Sequence, residues 1–333
     1  MQKRLLVLYT GGTIGMDETP DGLAPVPGLL PRLLERFRGP ALDFELREYA
    51  PLIDSSAITL ADMRTLCADI AAEYEHFDGF VVIHGTDTMA YTASMLAFAL
   101  RGLAKPVVVT GSQLPLVHPR SDGWSNLADA FEAACQGDLH EVALAFDRLL
   151  LRGCRARKVD AASFAGFDSP NAPHLARFGI NVDWRREHWR RATQPFAPAL
   201  PDPARRVLPM LLMPGASAAL FGRMLHEDDV DAAVLLSYGN GNAPADPALL
   251  DGVAAATARG VPVLNLTQVV RGAVEVGAYA ASQPLARAGA LPGADMTPEA
   301  ALAKLTLLGA LGLDATEARA YLTANIAGEL TVA

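Results

Sequence analysis

Short apolar runs alternate along this chain with longer stretches whose apolar residues recur three and four positions apart. Residues 5–9, 44–48, 79–84, 106–110 and 141–146 read as strands, and residues 60–74, 89–100 and 121–136 as helices. A strand–helix–strand series predicts a parallel sheet covered on both faces. Residues 193–203 then place four prolines in eleven positions, too dense for a helix or a central strand, and read as a semi-rigid linker. Beyond it the alternation resumes. Strands are expected at 207–213, 232–237 and 261–266, and helices at 216–226, 247–258, 298–311 and 315–325. The expected fold class is α/β with two domains: a larger N-terminal parallel-sheet α/β domain (1–192), a proline-rich linker (193–206) and a smaller C-terminal α/β domain (207–333). No internal repeat interrupts this plan.

Two threonines beside glycine stand directly after predicted strands: Thr13 in Tyr9-Thr10-Gly11-Gly12-Thr13-Ile14-Gly15, and Thr86 in His84-Gly85-Thr86-Asp87-Thr88. Ligands of open α/β sheets bind at the carboxyl ends of strands, so both hydroxyls are expected at one crevice. Ser55 and Ser56 follow the second strand, and Ser112 and Gln113 the fourth. Hydroxyl or amide groups thus follow four successive strands. Each also has a bland reading: Asp87 and Thr88 as helix caps, Ser55 and Ser56 as a turn before the cap Thr59, His84 as a sheet-interior residue bonded to backbone. Residues 14–31 hold four prolines and no periodicity. A loop of that length starting at the presumed site reads as a lid.

Composition narrows the chemistry. The 333 residues carry a formal charge of −9, against the basic footprint that nucleic acid requires. The apolar stretches are too short and too interrupted to span a membrane. Met1-Gln2-Lys3-Arg4 leads straight into a strand without the apolar core of a signal peptide. The three cysteines form no Cys-x-x-Cys pair, as suits free thiols in a reducing cytosol. A cytoplasmic protein is expected. Gly-x-Gly-x-x-Gly, a Walker lysine and Gly-x-Ser-x-Gly are all missing, and the seven histidines are scattered. No metal or cofactor is expected. What remains is threonine chemistry. A threonine hydroxyl is a weak nucleophile that needs a base or a polarised setting. A crevice of hydroxyls and glycine N–H groups suits a small substrate with a carbonyl and an ammonium, and backbone N–H groups can hold an oxyanion. The residues alone point to acyl transfer or amide hydrolysis.

Tyr9-Thr10-Gly11-Gly12-Thr13-Ile14-Gly15-Met16, His84-Gly85-Thr86-Asp87-Thr88-Met89-Ala90-Tyr91 and Arg120-Ser121-Asp122-Gly123 closely resemble the bacterial-type L-asparaginases, most of all the cytoplasmic type I branch. The similarity continues through Ser237-Tyr238-Gly239-Asn240-Gly241-Asn242 and Gly293-Ala294-Asp295 to Gly328-Glu329-Leu330-Thr331. The resemblance implies hydrolysis of L-asparagine to L-aspartate and ammonia without a cofactor. It implies Thr13 as nucleophile and Thr86, Asp87 and Lys158 as a second catalytic cluster. Gly12, Ser55, Ser56, Gly85 and Ser112 are implied to bind substrate. Asn242 and Asp295 are implied to reach a neighbouring subunit's site, hence a homodimer or homotetramer. The family's loop tyrosine is replaced by Leu23, which can neither donate nor accept a proton. A glutaminase or broader amidohydrolase, and an asparagine-binding sensor without turnover, are the alternatives. A tRNA-dependent amidotransferase subunit shares these motifs but is expected to carry a further N-terminal domain.

Overall fold

The computed structural model describes residues 2–20, 22–26, 28–275 and 282–331. The chain divides into two compact units, Met1–Leu200 and Pro201–Ala333.

The first unit runs β1 (Lys3–Tyr9), β2 (Met16–Thr19), β3 (Gly22–Pro25), α1 (Leu29–Leu34), β4 (Leu42–Glu48), α2 (Leu60–Glu73), β5 (Gly79–Ile83), α3 (Met89–Ala99), β6 (Val107–Thr110), α4 (Gly123–Ala134), β7 (Val142–Phe146) and β8 (Leu149–Arg152). Four two-residue strands follow: β9 (Arg157–Lys158), β10 (Phe167–Asp168), β11 (Ala176–Arg177) and β12 (Asp183–Trp184). The main sheet has the order β12-β11-β8-β7-β6-β5-β1-β4. Strands β4, β1, β5, β6 and β7 are parallel. The middle strands are buried on both faces, which is why they read as unbroken apolar runs. Helix α2 starts where expected, its N-terminus closed by a reciprocal capping box between Thr59 and Asp62.

The sheet is mixed rather than all-parallel. Only Asp147 and Arg148 separate β7 from β8, and both have positive φ, 46° and 63°. Two residues can turn a hairpin but cannot make the crossover a parallel partner needs. Strands β8, β11 and β12 therefore add antiparallel to one edge. Asp-Arg is not the glycine-containing signal that marks such a turn in sequence. The region read as a structureless lid is also ordered differently: a 3-10 turn at Thr13–Gly15, the antiparallel hairpin β2–β3, then α1. Leu23 lies in β3 opposite Glu18; its side chain falls outside the described residues. Within the proline-rich segment, Ala197 and Ala199 N–H donate to the carbonyls of Arg101 and Ala99, and Phe196 stacks on Tyr74 at 3.6 Å. This stretch is strapped to the first unit.

Strand order reverses around β1. The chain passes from β1 to β4 on one side, then crosses to β5 on the other. Ligands of open α/β sheets occupy the crevice at such a switch point.

The second unit runs β13 (Val207–Leu211), α5 (Ser217–Met224), β14 (Ala232–Ser237), α6 (Pro247–Ala258), β15 (Val263–Thr267), α7 (Gln283–Arg287), β16 (Leu291–Pro292), α8 (Pro298–Leu308) and α9 (Ala315–Thr323). Its four strands are all parallel, in the order β13-β14-β15-β16. Phe221, Leu235, Leu249 and Val263 are fully buried in its core. Helix α6 is started by Asp246, which accepts from the N–H groups of Ala248 and Leu249, with Pro247 in the first turn. A fully buried ion pair, Lys304–Glu329 at 2.5 Å, ties α8 to the C-terminal tail. Glu329 also accepts from the N–H groups of Ile326 and Ala327. Among the described residues, no helix is long and apolar enough to cross a membrane. The cysteines are free thiols.

Candidate active site

The site is built where β1 and β5 end side by side. Tyr9 pairs with Ile83 in register, and the ladder continues one step as Thr10 N–H donates to the Ile83 carbonyl at 3.0 Å. Beyond that point the two strands become loops that meet glycine to glycine. Gly12 has φ of 100°, and a Cβ there would lie 2.5 Å from Gly85 backbone. No other residue fits this approach. Thr13 then opens its 3-10 turn, half-buried.

The second loop carries the denser chemistry. Thr86 is half-buried and Asp87 exposed. Lys158, at the end of β9, donates to Thr86 Oγ1 at 2.9 Å and to Asp87 Oδ1 at 2.7 Å. One ammonium thus holds a hydroxyl and a carboxylate together, across more than seventy residues of sequence. The capping alternative does not hold for Thr88, which makes no side-chain cap bond at the start of α3, and the Asp87 carboxylate is engaged by Lys158. The Thr88 hydroxyl donates instead to the Ser55 carbonyl at 2.7 Å. Ser55 is buried and its hydroxyl accepts from Asp87 N–H at 3.3 Å. Ser56 is exposed and turned to Asp54, which takes both its N–H and its hydroxyl. Ser112 is buried, with its hydroxyl spent on the Leu114 carbonyl.

His84 sits inside the sheet. Its Nδ1 lies 2.7 Å from the Gly85 carbonyl and its Nε2 2.9 Å from Thr92 Oγ1. A carbonyl only accepts, so Nδ1 carries the proton and Nε2 accepts from Thr92. Burial pushes the ring's pKa down to about 4, so it is neutral at physiological pH. The bland reading of His84 therefore holds. It fixes the Gly85 peptide from beneath.

The Arg120-Ser121-Asp122-Gly123 motif supports the loop after β6. The Asp122 carboxylate accepts from the N–H groups of Gln113 and Leu114 and from Asn126 Nδ2, all near 3.1 Å. Sequence reasoning placed Gln113 at the strand-end edge and Asp122 within a family-like motif, but gave neither a specific role. For Gln113, its position after a strand was the one signal available.

The structure thus brings together Gly12, Gly85, Ser55, Thr86, Asp87 and Lys158. Asn242 and Asp295 belong to the second unit. Asn242 closes a tight turn after β14, exchanging backbone hydrogen bonds with Tyr238. Its Oδ1 is buried with no hydrogen-bond partner among the described residues. Asp295 is buried and accepts from both N–H and hydroxyl of Thr331.

Residues 4–190 match the family model described as asparaginase, N-terminal, and residues 206–322 match the glutaminase/asparaginase C-terminal domain. The chain belongs to the asparaginase family. It is 44% identical over 343 aligned residues to L-asparaginase 1 of Escherichia coli, covering 99% of each chain. Its structure is similar to L-asparaginase I of Vibrio cholerae, with a TM-score of 0.91, 41% identity and complete coverage of both chains. It is also similar to the thermostable L-asparaginase of Thermococcus kodakarensis, with a TM-score of 0.88, 34% identity and coverage of 99% and 100%. In this asparaginase-family chain the phenol nearest the Thr13 turn in sequence is Tyr9. It is fully buried, with its hydroxyl packed against Gly15. Burial first, then the Glu48 carboxylate, hold it well above the usual phenol range. Tyr9 therefore stays a neutral phenol and is no base for Thr13.

Proposed function

We propose that this protein is an asparaginase that hydrolyses L-asparagine to L-aspartate and ammonia through a threonine nucleophile. The observation that carries this reading is the reach of Lys158 to both Thr86 and Asp87, in a chain that belongs to the asparaginase family along its length.

In this scheme the Thr13 hydroxyl attacks the side-chain amide carbon of asparagine. Its proton passes to the leaving nitrogen, the C–N bond breaks, and ammonia departs from a threonyl ester. Water then cleaves the ester, giving aspartate and restoring the hydroxyl. Thr86 and Lys158 relay the protons: the Lys158 ammonium donates through the Thr86 hydroxyl toward the leaving nitrogen, and the amine so formed takes up the proton that Thr13 gives up. Asp87, exposed beside the lysine, takes the substrate ammonium. Ser55 accepts from Asp87 N–H and so keeps its own proton to donate to the substrate carboxylate. Backbone N–H groups around Gly12 and Gly85 face the oxyanion, and the Ser112 carbonyl faces the amide. Ser56 is assigned to the carboxylate with Ser55, although in this structure its hydroxyl serves Asp54. No step uses a metal or cofactor.

Asn242 and Asp295 are assigned to the site of a neighbouring subunit. This makes the active form a homodimer or a homotetramer. The compartment assigned is the cytoplasm.

The test is ammonia release by the purified protein from L-asparagine, L-glutamine and D-asparagine. L-Asparagine is expected to be turned over fastest. Faster release from L-glutamine makes the protein a glutaminase. Silence on all three, with L-asparagine still raising Tm, overturns the enzymatic reading in favour of a binding protein.

A further inference from the structure

Gln113 sits at the junction of three elements that the proposed reaction depends on. Its backbone N–H donates to both oxygens of Asp122, at 3.1 and 3.0 Å, which pins its Cα. Its side-chain Nε2 donates to the Ser163 carbonyl at 2.9 Å, in the loop joining β9 to β10. Its Oε1 faces Thr86 Oγ1 at 3.5 Å, the long limit of a hydrogen bond.

We propose that Gln113 is a positioning residue for asparagine hydrolysis, holding the Thr86 hydroxyl and the hairpin that carries Lys158 in register with each other. The proposal rests on the asparaginase reading above.

Two arguments support it. The first is proton counting. A hydroxyl has one proton to donate and lone pairs to accept. Lys158 as an ammonium donates to Thr86 Oγ1, so the threonine's own proton must point elsewhere. Gln113 Oε1 is the acceptor facing it. That bond sets the torsion of the hydroxyl and so where its remaining lone pair points. The second argument is mechanical. Strands β9 and β10 are two residues each, too short for a hairpin to stand alone. Its paired strands are held by Phe167, whose ring packs tilted against Phe146, centroids 4.9 Å apart. Its tip borders an open cleft of about 520 Å³, with Arg120 over the Phe164 ring at 6.0 Å, and the Gln113–Ser163 bond ties the tip to the loop after β6. Lys158 is the last residue of β9, paired with Phe167, where the chain leaves the strand for the tip. A shift of the tip moves the ammonium relative to Thr86.

Gly166 offers an independent handle. It is buried, and a Cβ there would come within 2.9 Å of Gln113 Nε2, the far end of a flexible side chain. Gly166→Ala should push the amide aside while leaving Gln113 itself intact.

The experiment is steady-state ammonia release by the full chain as wild type, Gln113→Met, Gly166→Ala and the double variant, with Tm measured for each. Wild-type turnover is established first, and its absence overturns the asparaginase reading and this proposal together. For Gln113→Met the expectation is a kcat about tenfold lower or more, a KM within about twofold, and Tm within a few degrees of wild type. Gly166→Ala is expected to lower kcat in the same way. Because both act through one amide, the double variant should be no worse than Gln113→Met alone. An active wild type with unchanged kcat in Gln113→Met overturns this proposal only. So does a double variant whose losses multiply, or a kcat loss that merely follows a fall in Tm. If Gln113→Met does not fold, Gly166→Ala decides by itself: an unchanged kcat there rejects the role.

Discussion

Thr86 and Thr13 stand in unlike surroundings, and this sets what each substitution should do. Thr86 is gripped by Lys158, whose ammonium also engages Asp87. Lys158→Met should keep the fold and lower kcat about a hundredfold or more, with KM changed far less, as measured by ammonia release. Thr13→Ala should abolish most turnover while Tm and circular dichroism stay near wild type; near-normal kcat there would remove Thr13 as nucleophile. His84 yields a pH prediction. Its folded pKa, about 4, lies below its ordinary 6.5, so between those values the unfolded chain binds the proton and the folded chain does not. Its contribution to stability is therefore complete above about pH 6.5 and lost on acidification toward about pH 4. Denaturant titrations across that window should show a shallower decline for His84→Asn than for wild type. Thr13, Thr86 and Asp87 stood out because each lies in a short run directly after a predicted strand, whereas Lys158 and its grouping with Thr86 were implied only by the family resemblance. The contacts of Gln113 with Thr86, Asp122 and Ser163 were not legible at all. They arise from hydrogen bonds between distant segments, which leave no periodic trace.

At the scale of elements, apolar pattern and helix caps located the central strands and helices closely, since burial on both faces writes itself into β5, β6 and β7 as continuous apolar sequence. The pattern fell short at the sheet edge. Strands β11 and β12 are two residues each, too brief for any alternation to register. The hairpin β2–β3 escaped for another reason: its sequence, Met-Asp-Glu-Thr and Gly-Leu-Ala-Pro, is that of a polar turn region, and pairing alone makes it strands. The Asp122 carboxylate is an element-level joint, holding the loop after β6 to the start of α4. Asp122→Ala leaves the Gln113 and Leu114 N–H groups without their acceptor. A loss of about 2 kcal/mol or more in urea unfolding is expected, together with lower kcat through Gln113.

For the whole molecule, two units each close their own core, and the second depends on a buried charge pair. Lys304→Met leaves the fully buried Glu329 carboxylate without its lysine counter-charge. Breaking a buried pair from one side costs about 3–5 kcal/mol, so this variant should show a much lower Tm, or fail to accumulate as folded protein. The division into two α/β units was readable from the proline cluster and the return of strand–helix alternation after it. That this cluster lies strapped to the end of α3 and the turn after it was not readable, because proline density reports what a segment cannot form and not where it packs.

The contact between Gly12 and Gly85 has a consequence for how such a pocket changes over generations. Where the two reactive loops meet, the wall is bare main chain, and its width is fixed by backbone atoms that no codon alters. A side chain at Gly12 would run into the Gly85 backbone, and one at Gly85 into the Ser55 side chain, before either could reshape the cavity. Any drift in substrate preference must then be written around the rim, in residues such as those of the β2–β3 and β9–β10 hairpins, while the floor under the two threonines stays constant.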